Sequence, residues 1–110
     1  MLNPSLARNK SKLNPYLIKE ILEATPQQLL IKLYDFAIVN CQKHNLEKTN
    51  AALQQLINAL SFETEEVKEI SIGFLKLYRY CQDQMRKKNY DEVVHILSEL
   101  RSEWMKAFNM

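Results

Sequence analysis

At 110 residues the chain is long enough for one domain with a single small core. Apolar residues make up 46% and charged residues 25%, a globular balance that excludes a disordered chain. One glycine and three prolines leave little material for tight turns, which argues against an all-β fold, and a formal charge of +2 with both signs interspersed is too weak to make nucleic acid the main partner.

Residues 1–13 are polar, basic and aperiodic, with Arg8, Lys10 and Lys12. They read as a flexible arm ahead of a single helical domain at 14–110; a solvated terminus explains the charge more simply than contact with an acidic surface. Asn14-Pro15-Tyr16 opens a short helix that runs to about residue 23, with Asn14 as cap and Pro15 at the first helical position. Thr25-Pro26-Gln27-Gln28 is the clearest start signal in the chain. The helix after it reaches about residue 43 and carries Leu30, Leu33, Tyr34, Ala37, Ile38 and Cys41 as one stripe.

Asn45 caps the next helix, whose stripe is Leu46, Leu53, Leu56, Ile57 and Leu60. Thr64 caps a third, with Glu65, Glu66 and Glu69 in its opening turns, where the helix dipole favours acids. Its stripe is Val67, Ile70, Phe74, Tyr78, Cys81 and Met85, and Arg86, Lys87 and Lys88 close it with the complementary charge. Asn89 and Glu92 form a capping box for the last helix, which carries Val93, Ile96, Leu97, Leu100, Trp104 and Phe108. Linkers this short imply antiparallel hairpins. The expected fold is all-α: an antiparallel four-helix bundle with a short additional N-terminal helix.

No targeting segment follows Met1 and no apolar run is long enough to cross a bilayer, so a cytoplasmic location without a membrane span is expected. Cys41 and Cys81 are then buried thiols. No catalytic constellation, glycine-rich loop or nucleophile elbow is present, and the chain reads as a non-enzyme without cofactor or metal. Cys41 and His44 share a helix face, but two ligands do not make a zinc site, and Cys81 and His95 lie on other helices. The acids from Glu63 to Glu69 read as helix-start charges. The Glu92-x-x-His95 pair stands alone, so a di-iron site is excluded.

The informative signal is a surplus of apolar residues. At 100° per residue, Leu29, Phe36 and Val39 fall off the stripe of their helix. Ile72 and Tyr80 do so on the third helix, with Leu75 at the edge, and Val94 and Met105 on the fourth. Such residues on helices that already own complete stripes point to a second apolar surface. It is a partner groove, or it is covered by the 15–23 helix, or it packs in a homodimer or has no role; the first two are compatible if the segment is displaceable.

Several segments resemble the flagellar secretion chaperone (FliS) family. Asn14-Pro15-Tyr16 is similar to its N-x-Y opening and Ala24-Thr25-Pro26-Gln27-Gln28-Leu29 to its A-S-P-x-E/Q-L helix start. Leu33-Tyr34-Asp35-Phe36-Ala37-Ile38 resembles L-Y-D-G-A-I, Leu77-Tyr78-Arg79-Tyr80 resembles L-Y-D-Y, and Leu97 to Trp104 resembles L-x-x-L-R-x-x-W. The likeness covers about residues 14–108. Phe36 stands where the family has glycine, and the aromatic that follows the opening tyrosine is missing. The stretch from Tyr16 to Pro26 is shorter by about one turn, and each hairpin by about a heptad.

The resemblance implies a cytoplasmic export chaperone. It would bind the disordered C-terminal region of flagellin in apolar grooves, prevent premature polymerisation and serve the flagellar export apparatus. The opening tyrosine maps to Tyr16. Leu29, Phe36, Val39, Ile72, Leu75 and Tyr80 complete the expected partner surface from the wheel. A monomer or weak homodimer is expected. The alternative is a helical homo-oligomer of structural or regulatory role without an export client.

Overall fold

The structure, a computed structural model, describes residues 27–110. The basic arm, the short 14–23 helix and Tyr16 lie outside the described residues. Those described form an all-α fold of four helices: α1 (Gln27–Gln42), α2 (Leu46–Asn58), α3 (Glu65–Arg86) and α4 (Tyr90–Ala107). Among them no helix is long and apolar enough to cross a membrane.

Two of the expected caps form. The Asn45 side chain accepts from the Lys48 N–H at 3.0 Å, and the Thr64 hydroxyl accepts from the Val67 N–H at 3.2 Å. The capping box at α4 does not form. Asn89 makes no side-chain cap bond; its Nδ2 donates instead to Gln84 Oε1 at 2.6 Å. The Glu92 carboxylate accepts from the Tyr80 hydroxyl at 2.8 Å. Both members of the box are thus held by α3.

Helix ends explain how so glycine-poor a chain turns sharply. His44, Lys88 and Asn109 hold left-handed φ of 60°, 64° and 60°. After each, the next N–H closes on a carbonyl five residues back: Asn45 to Asn40, Asn89 to Gln84 and Met110 to Met105. This is the Schellman closure, in which glycine is the usual left-handed residue. Asn45 closes α1 with its N–H and caps α2 with its side chain, so the link needs only three residues.

α1 packs on α2 and α4, and α3 packs on the same two, which leaves α1 and α3 facing each other across the core. Tyr34, Ala37, Cys41, Leu53, Leu56, Leu77, Tyr78, Ile96 and Leu97 are buried there. Burying an aliphatic side chain of this kind contributes about 1.5–3 kcal/mol. Ile31, Ala52 and Leu77 join the core although they fall outside the stripes read from sequence. Leu46, expected in the α2 stripe, is exposed, and Leu33, Ile38 and Ile70 are only partly buried. The α2–α3 seam is polar as well as apolar. Asn50 Nδ2 donates to the Gln82 carbonyl, and Gln82 Nε2 donates to the Asn50 carbonyl, each at 3.2 Å.

Candidate functional site

The 3.6-residue period gives α1 two faces. One meets the core. Tyr34 and Tyr78 hold their hydroxyls 2.6 Å apart, and Trp104 Nε1 donates to the Tyr34 oxygen at 3.0 Å, all of it buried. Phe74 stacks on Trp104 with ring centroids 5.1 Å apart. Burial pushes the Tyr34 hydroxyl well above the usual phenol range, with the neighbouring Tyr78 adding to the shift, and burial likewise raises Tyr78. At the edge of this face Arg101 reaches from α4 to Asp35, its Nε donating at 2.5 Å and a second nitrogen lying 3.5 Å from the other carboxylate oxygen.

The second face of α1 carries Leu29, Lys32, Leu33 and Phe36, spaced as one stripe. Leu29 is 55% exposed and Phe36 47%, too much for either to belong to the core. Opposite stand Lys48, Ala51, Ala52 and Gln55 of α2 and Ala59 at its C-cap, again at 3-4 spacing. Between the two lies an open, largely apolar groove of about 470 Å³. Its α2 wall is low because three of those five residues are alanine.

The residues expected at a partner surface do not all converge on this groove. Leu29 and Phe36 line it together. Val39 is 45% exposed on the same helix but is not part of the lining. Ile72, Leu75 and Tyr80 are partly buried on α3, across the core from α1. Leu75 and Tyr80 pack against the core, and the Tyr80 hydroxyl is held by Glu92, whose hydrogen bond raises its pKa. Tyr16 lies outside the described residues. The α2 wall is absent from the expected surface. Its signal in sequence is the alanine set at 51, 52 and 59, which falls on one helical stripe.

The cysteines are free and buried. Cys41 Sγ lies 3.4 Å from both Met85 Sδ and the Tyr90 carbonyl. Burial pushes the thiols up, to about 11 for Cys41 and about 12 for Cys81. His44 stacks on Tyr90 with centroids 4.0 Å apart. Among the described residues no group of three or more His, Cys, Asp or Glu is placed to hold a metal ion.

No protein-family model matches the chain, and no curated protein or solved structure shows a significant match to it.

Proposed function

We propose that this chain is a cytoplasmic export chaperone that holds a disordered segment of another protein as an apolar helix, and that the C-terminal region of flagellin is its client. The observation that carries the reading is the α1–α2 groove, with Leu29 and Phe36 about half exposed beside a buried core that is complete without them. An apolar channel between two helices suits an amphipathic helix presenting anchors at 3-4 spacing. A disordered client loses conformational entropy when it orders, and burial of its apolar face offsets that cost. The flagellin assignment rests on the resemblance of the motifs to the flagellar chaperone family. In this reading the helices form an antiparallel bundle, the 14–23 segment adds a short helix, Tyr16 lies near the client, and the protein is not an enzyme.

The test is titration calorimetry of the flagellin C-terminal segment against the full chain and a Leu29→Ser/Phe36→Ser variant. Burial of these half-exposed side chains is worth about 1–2 kcal/mol each, so the variant should bind at least ~30-fold more weakly. Unchanged affinity removes the groove from the mechanism. A wild-type chain that ignores the segment removes flagellin as client.

The reading as a homo-oligomer without a client draws on Val39, exposed outside the groove. Light scattering over a concentration series, with Val39→Ser as control, separates the two.

A further inference from the structure

Among the described residues, the charged ones that line the groove have one sign. Lys32 stands on the α1 wall and Lys48 on the α2 wall, and among the described residues no Asp or Glu lines it. Among the described residues neither lysine has an ion-pair partner. Asp35, one turn from Lys32, is occupied by Arg101 on the α4 side. Glu47, the neighbour of Lys48 in sequence, does not line the groove.

We infer that the groove selects an acidic amphipathic helix from another protein, with an apolar ridge flanked by carboxylates. The inference rests on the client-binding reading and specifies the chemistry of the client. The two walls are ridges at 3-4 spacing, the surface into which a third helix packs. The α2 wall runs from Lys48 to Ala59, about 16 Å of helix, so it accepts roughly three turns of a partner. Alanines at 51, 52 and 59 let the partner backbone come close. Apolar anchors sit on Leu29, Leu33 and Phe36, and carboxylates on either flank meet Lys32 and Lys48. A second copy of this chain is a poor occupant, because two-fold pairing would bring the lysines of one groove against those of the other. A basic helix is excluded for the same reason.

The experiment uses the full chain and two fluorescein-labelled peptides of about fourteen residues. They share an apolar stripe at i, i+3, i+4 and i+7, and their flanking positions are glutamate in one and lysine in the other. Anisotropy at low salt should show the glutamate peptide binding about fivefold more tightly, the sum expected of two exposed pairs. The gap should narrow at 0.5 M salt, where such pairs are screened. In a Lys32→Glu/Lys48→Glu variant the preference should reverse. Both replaced residues are exposed, and circular dichroism should show that the variant keeps its helices.

Equal binding of the two peptides, or a preference that survives the charge reversal, overturns the inference. If the two also bind equally and the Leu29→Ser/Phe36→Ser variant binds neither, the groove stands as a client site and only the charge selection fails. If neither peptide binds the wild-type chain, both readings fail. A stable dimer that the Phe36 substitution dissolves makes a second copy the occupant and overturns the inference too.

Discussion

Tyr34 and Phe36 stand two residues apart on α1, yet Tyr34 is fully buried while Phe36 is 47% exposed. Two residues at 100° each turn the helix by just over a half-circle, so one ring enters the core and the other leaves it. Tyr34 reaches Tyr78 and Trp104 and joins three helices; Phe36 reaches a groove wall. The comparison separates a face that holds the fold from a face available to a partner. A substitution on the first should change stability, and one on the second should change binding.

The largest expected effect comes from alkali, which acts on the buried side alone. In the unfolded chain a cysteine loses its proton near 9, whereas the buried thiols hold theirs to about 11 and about 12. Above pH 9 the native state therefore binds more protons than the unfolded state. Stability is complete below that point and falls as pH rises through the folded values, by about 1.4 kcal/mol per pH unit for each such group. The raised Tyr34 and Tyr78 hydroxyls act in the same direction. Thermal melts from pH 8 to 11 should show Tm dropping steeply above 9, less so in a Cys81→Ala variant. A flat profile would show that the thiols open to solvent easily.

Tyr34→Phe comes next. It removes the hydroxyl that accepts from Trp104 and pairs with Tyr78, leaving two buried polar groups short of a partner. The cost should be about 1–3 kcal/mol, read from urea unfolding. The Leu29→Ser/Phe36→Ser variant should stay within about 0.5 kcal/mol of wild type, as exposed positions do. If the two variants lose equal stability, the division of α1 into a core face and a binding face is wrong.

The smallest effect belongs to a helix end outside both faces. Lys88 holds φ at 64°, a conformation that costs a non-glycine residue about 1–2 kcal/mol. Lys88→Gly relieves this but gains entropy in the unfolded chain, for a net stabilisation of up to about 1 kcal/mol. Tm should rise by a few degrees with client affinity unchanged.

The residues that carry the family resemblance divide along the same line. Tyr34, Tyr78 and Trp104 meet in the core, and Asp35 pairs with Arg101 at its edge. Each has a packing role, so these motifs speak to how helices assemble. Leu29, Leu33 and Phe36 are the motif residues in the groove, and Phe36 stands where the resembled motif has glycine. The proposed client site therefore includes, at Phe36, the one of these three positions where the chain departs from the pattern.

Much of the fold was legible in local chemistry. Asn45 and Thr64 cap as their side chains allow, and apolar periodicity places α1 to α4 within a residue or two. The capping box at Asn89 was not legible, because Gln84 and Tyr80 reach its two members from another helix. The exposure of Leu29, Phe36 and Val39 follows from the wheel, since the angle of a residue about its own axis is a local property.

Which helix stands beside that angle is not local. The wheel pairs the flanks of α1 and α3, while packing sets those two helices across the core and puts α2 beside Leu29 and Phe36. The sequence by itself determined the helices, most of their buried stripes and the half of the groove that α1 supplies. The tertiary structure alone decided the other half, Lys48 and the alanines of α2, because a groove is made by the separation of two elements and each sequence stripe describes only one.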